Sequence, residues 1–67
     1  MKKIKLSSEV IKYLSHYPEQ GMGYQIVDVY LKTGVILKNR IVYNSTYLDI
    51  NSDEDIDSKD IIKIVIS

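Results

Sequence analysis

The sequence predicts a mainly β single domain over residues 1–67: one short N-terminal helix, then an antiparallel sheet of four to five strands curled into a small barrel. Three observations predict it. Eleven Ile and six Val dominate the 67 residues, with no Ala, Phe or Trp. Such β-branched side chains lose rotamer freedom in helices but pack well on a pleated surface. The hydrophobic rhythm then changes at Gly21-Met22-Gly23, from helix-like spacing before it to strict alternation after it. Finally, turn signals at Lys32-Thr33-Gly34 and Asn44-Ser45-Thr46 cut the second part into short strands.

The elements follow in chain order. Ser7 and Ser8 suit a helix N-cap, and Glu9 in the first turn suits the helix dipole. Val10, Ile11, Leu14 and Tyr17 recur near helical spacing, and Pro18 disfavours helical geometry at Tyr17, so a helix is predicted over about 8–17. Residues 18–23 form a connector. From Tyr24, the residues Gln25, Val27, Val29 and Leu31 share a buried face; Tyr24, Ile26, Asp28 and Tyr30 share the other. Leu31-Lys32-Thr33-Gly34-Val35 suits a type I turn closed by a glycine bulge. A second strand runs from Val35 to about Tyr43, with Val35, Leu37, Ile41 and Tyr43 on one face and Lys38 and Arg40 on the other. A third strand covers Tyr47 to Ile50, with Leu48 and Ile50 inward. An acidic loop follows from Asn51 to Asp60, in which Asp57 or Ser58 can start a helical turn. Ile61 to Ile66 is the last strand, with Ile62, Ile64 and Ile66 assigned to the core. Ile4 and Leu6 alternate with lysines, so residues 1–6 can add a further strand. A sheet this small exposes its edges unless it curls up. An open, twisted sheet with the helix across one face is the alternative.

Composition narrows the function classes. Nine basic and nine acidic residues cancel, which removes the usual electrostatic argument for nucleic acid or an anionic membrane. Without cysteine there is no disulfide, thiolate zinc site or Cys nucleophile. No apolar run approaches the ~20 residues that cross a bilayer. The basic N-terminus lacks the apolar stretch of a secretory signal, so a cytoplasmic protein is expected.

The stretch IVDVYLKTGVILKNRIVYNSTYLDI resembles the first half of the Sm-like family, which includes the Hfq-type RNA chaperones. Val29-Tyr30-Leu31-Lys32-Thr33-Gly34 matches that family's first hairpin, and KDIIKIVI looks like its closing strand. The resemblance implies an SH3-like/Sm-like barrel. It also implies that Tyr47 occupies the place of an aromatic that stacks on a base, an interaction of roughly 1–3 kcal/mol. The chain departs from the pattern in three places. Asn39 stands where the family has a glycine that bends its second strand, and Ser45 stands where it has an Asp. The family's second signature is reduced to Lys59 before Asp60. The whole chain also resembles a small bacterial family of uncharacterised function that pairs a PExGMGYQ-type segment with V-x-L-K-x-G and a closing DI-x-x-I strand. The matching segment here is Pro18 to Gln25. That resemblance implies a fold and no activity.

No constellation points to catalysis or a cofactor. Asn51, Asp53, Asp55 and Asp57 alternate like a calcium loop, but the sixth position is Ile56 instead of Gly and the twelfth is Ile62 instead of Glu. A solvated loop is the simpler reading. His16, the one histidine, lacks partners at ligand spacing and suits a helix C-terminus. The Gly-Met-Gly segment has a helix before it and a strand after it, the reverse of a phosphate-binding turn. Tyr24 and Tyr30, with Lys38 and Arg40 on the adjacent strand, offer aromatic and cationic side chains to a partner. The sequence therefore predicts a non-catalytic interaction module that binds protein or itself, with no metal and no membrane. The alternative is an Sm-like RNA-binding ring. The candidate partner or RNA surface is Tyr24, Tyr30, Lys38, Arg40, Tyr47 and Lys59. Five acidic residues between 53 and 60 weigh against RNA.

Overall fold

The computed structural model describes residues 2–19, 21 and 23–67; Gln20 and Met22 of the predicted connector lie outside the described residues, as does Met1. The elements are β1 (Lys2–Lys5), α1 (Ser8–Ser15), β2 (Tyr24–Leu31), β3 (Ile36–Tyr43), β4 (Tyr47–Ile50), a 3-10 turn at Ser58–Asp60, and β5 (Ile61–Ile66). All strand pairs are antiparallel, and they form one five-stranded sheet in the order β1-β4-β3-β2-β5. The predicted mainly β class, the single short helix and the extra N-terminal strand are all present.

The helix forms where its caps are. The Ser7 hydroxyl accepts from the Val10 amide at 3.4 Å, and His16 closes the C-terminus, its ring Nδ1 donating to the Lys12 carbonyl at 2.6 Å. Only Leu14 of the helix is fully buried, with Val10 and Ile11 packed partly against the core. Tyr17, assigned by periodicity to the same face, lies past the helix end and is exposed. Two turns of helix are marginal alone and depend on this docking.

The inner face of β2 carries Gln25, Val27, Val29 and Leu31, all buried as the alternation predicts. Val27, Val29 and Leu31 join Leu6, Leu14, Val42, Leu48, Ile50 and Ile64 in one core, against which Ile56 of the acidic loop also packs. Gln25 is fully buried but fully bonded: Nε2 donates to the carbonyls of Leu14 (3.0 Å) and Tyr17 (3.3 Å), and Oε1 accepts from the Ser45 hydroxyl at 3.2 Å. One side chain thus ties the end of α1 to the β3–β4 turn.

The turns match their residues. Gly34 takes φ 93°, its amide donates to Leu31 O at 3.0 Å, and the Leu31 amide donates to Val35 O at 2.9 Å. This is the predicted type I turn with a glycine bulge. Asn44 and Ser45 both have positive φ (54° and 57°), and the Thr46 amide closes the turn onto Tyr43 O at 2.9 Å.

Two bulges overturn the predicted faces. In β3, Leu37 opposes Val29 but Arg40 opposes Val27, so one extra residue sits between them. Asn39 absorbs it with φ 56°, a left-handed conformation that Asn tolerates better than most residues. The parity of β3 flips there. Val42 is buried, Ile41 and Tyr43 turn to the outer face, and Lys38 and Arg40 fall on opposite faces instead of sharing one. Val35 belongs to the turn and is exposed. In β5 the register slips between Lys63, opposite Tyr30, and Ile61, opposite Leu31. Ile62 is therefore turned out to 63 % exposure, and Ile61 packs against the core in its place.

Candidate functional site

The sheet ends in two edges of different character. At β1, the Leu6 amide donates to Thr46 O, so antiparallel alternation aims the backbone groups of Lys3 and Lys5 away from β4. Three of the four β1 residues are lysines, which guard an edge against further pairing. At β5, the Ser67 amide donates to Ile26 O, and the same alternation puts Asp28–Val65 and Tyr30–Lys63 in hydrogen-bonded pairs. The N–H and C=O of Ile64 then point away from β2. This edge reads Ile-Ile-Lys-Ile-Val-Ile, with a single charge to guard it.

A shallow groove of about 340 Å³ runs beside that edge, between α1 and β5. Val10 and Tyr13 line it from the helix, Ile62 to Val65 from the strand, and Glu9 and Lys63 are its charged members. The Tyr13 ring packs against Tyr17, with centroids 5.1 Å apart. Burial raises the Tyr13 phenol above its ordinary pKa, Tyr17 raises it further, and a hydrogen bond with the Ile66 backbone opposes the rise.

The candidate surface read from sequence divides. Tyr24, Tyr30, Lys38 and Tyr47 fall on the outer face of the sheet. Tyr47 is the most exposed of the three tyrosines and stands opposite Tyr43. Two lysines missed by the sequence reading join them. Lys3 Nζ lies 4.7 Å from the Tyr43 ring centroid, and Lys63 Nζ lies 4.7 Å from that of Tyr30. Finding them required the registers of β1 and β5, which no local pattern encodes.

Arg40 and Lys59 leave the surface. Arg40 follows the Asn39 bulge to the inner face, where its guanidinium forms a bidentate pair with Glu54 at 2.8 and 2.7 Å. Lys59 is exposed on the 3-10 turn that precedes β5, outside the strands. Glu54 Oε1 also accepts from the Asn51 amide, and Lys2 Nζ reaches the Glu54 carbonyl at 3.3 Å. The Arg40 hydrogen bonds hold the Glu54 carboxyl below its ordinary pKa, against the opposing effect of burial. The acidic loop is thus folded back on the sheet through one of its own acids. Among the described residues, no group of three or more His, Cys, Asp or Glu side chains is placed to hold a metal ion. No helix among them is long and apolar enough to cross a membrane.

Comparison of the chain with family models, with curated proteins and with solved structures finds no match.

Proposed function

We propose that the chain is a small non-catalytic interaction module that takes up an extended protein segment at the free edge of β5. The observation that carries this reading is the asymmetry of the edges: β1 is guarded by lysines, whereas β5 is apolar and borders an open groove. Strand addition at such an edge draws affinity from main-chain hydrogen bonds and selectivity from alternate side chains. The bulges at Asn39 and beside Ile62 bend the sheet, which supports a partly open form of the SH3-like/Sm-like barrel in which β1 and β5 stay unpaired. A photo-crosslinking residue in place of Ile62 tests the reading in living cells. Discrete protein adducts that vanish when Val65→Lys guards the edge support it. Adducts with nucleic acid alone, or none at all, overturn it.

The second reading is RNA binding of the Sm-like kind. It is supported by Tyr24, Tyr30, Lys38 and Tyr47 on one face. Two facts weigh against it. The lysines over Tyr30 and Tyr43 occupy ring faces that a base needs for stacking, and the net charge is zero. A fluorescence titration with oligo(U) and oligo(A) at low salt decides it; absence of binding at micromolar protein removes this reading.

A further inference from the structure

We propose that the strand taken up at β5 is β5 of a second copy of this chain, paired antiparallel about a two-fold axis at Ile64. This rests on the strand-addition reading above and names its partner. In that register Ile64 opposes its own counterpart, and the two exchange the N–H and C=O groups that point away from β2. Lys63 opposes Val65 of the second copy, and Ile62 opposes its Ile66. Every pair is apolar or combines a lysine with an apolar residue, and no like charges meet.

Neighbouring registers are worse. Moving the axis to Lys63 sets the two lysines directly opposite each other, which is unfavourable. Moving it to Val65 pairs only Ile64 to Ile66 of β5, whereas the Ile64 register pairs Ile62 to Ile66.

The two edges also select the symmetry. Pairing β5 with β1 of another copy would be head-to-tail and would propagate into a ring or a filament. The lysines of β1 disfavour that. Pairing β5 with β5 uses the apolar edge of both copies and leaves only guarded edges at the ends. Two five-stranded sheets then close as one dimer of ten strands. A net charge of zero puts no overall repulsion between the copies.

The test is sedimentation equilibrium of the purified chain from micromolar to millimolar concentration, combined with cysteine cross-linking. The chain has no cysteine of its own. Lys63 and Val65 carry exposed side chains, so Lys63→Cys and Val65→Cys leave the core intact. Across copies they form a non-hydrogen-bonded pair, about 4.5 Å between Cα atoms, within disulfide reach. Oxidising an equal mixture of the two variants is expected to give the mixed disulfide in preference to either self-disulfide. Val65→Lys sets lysine against lysine twice per dimer. It is expected to weaken dimerisation about tenfold or more with the far-ultraviolet spectrum unchanged. A monomer at every concentration overturns the proposal. So does a mixture dominated by the self-disulfide of the Lys63→Cys variant, or an unmoved dissociation constant in Val65→Lys. If the purified chain is monomeric while a residue at position 62 cross-links to a different protein in cells, the second copy is refuted and the strand-addition reading stands. If neither occurs, both fall.

Discussion

Arg40 and Glu54 meet through two parallel contacts, Nη1 to Oε1 at 2.8 Å and Nη2 to Oε2 at 2.7 Å, with both side chains less than one-fifth exposed. The fork geometry joins β3 to the acidic loop across 14 residues, and Glu54 Oε1 accepts a third bond from the Asn51 amide. The pair is the side-chain ion pair that fastens a loop also held by Ile56 against the core, by Lys2 on the Glu54 carbonyl and by the Lys32 amide on the Asp60 carbonyl.

Glu54→Gln keeps the shape and removes the charge. It is expected to cost about 1 kcal/mol at neutral pH, the order of the net value of an intramolecular hydrogen bond. The pH dependence has a fixed sign. The folded-state pKa of Glu54 lies below its unfolded value, about 4.3 for a free glutamate. Its contribution is complete above that unfolded value and is lost as the pH falls through the folded one. Urea unfolding of both proteins across acid pH checks this: the gap between them should narrow as the pH drops.

Gln25 carries the second prediction. Its amide donates to the carbonyls of Leu14 in α1 and of Tyr17 just past it, and accepts from Ser45, with no exposed surface. Gln25→Leu has similar volume but takes the side-chain donor from the Leu14 and Tyr17 carbonyls and the acceptor from the Ser45 hydroxyl, the Leu14 carbonyl keeping the Tyr17 amide, at a cost of about 1–3 kcal/mol. Gln25→Glu is expected to be worse, because a buried carboxylate accepts but cannot donate to those carbonyls. Thermal unfolding followed by circular dichroism measures both, and amide exchange in α1 should rise before that in β2.

Much of this fold is legible in the sequence because its signals are local. The alternation of Gln25, Val27, Val29 and Leu31, the glycine at Gly34 and the Ser7 cap each act within a few residues. The bulges are not local signals. Asn39 looks like an ordinary polar strand residue until its φ is known, and everything after it in β3 shifts face as a result. Arg40 thereby passes from a presumed partner surface to an internal ion pair. Ile62 makes the opposite move, from presumed core to the free edge, because its register slips against Leu31. The candidate site at β5 was invisible for a related reason. An apolar run such as Ile61 to Ile66 reads as a buried strand, and only the sheet order reveals that, among the described residues, one side of it has no neighbouring strand.

Asn39 carries the last prediction. At φ 56° a β-branched side chain crowds its own backbone, at a cost of roughly 1–2 kcal/mol. A glycine meets no such penalty. Asn39→Gly is therefore expected to hold stability within a few tenths of a kcal/mol, while Asn39→Val loses about 1–2 kcal/mol or abolishes the bulge. The Glu54→Gln background separates these outcomes. If the bulge is lost in Asn39→Val, Arg40 leaves the inner face and its pair with Glu54 breaks, so Glu54→Gln then costs little more. If the strain is borne and the bulge kept, the two penalties add. A double-mutant cycle by urea unfolding reads the difference, and full additivity would show that Asn39 strains β3 without setting the side on which Arg40 emerges.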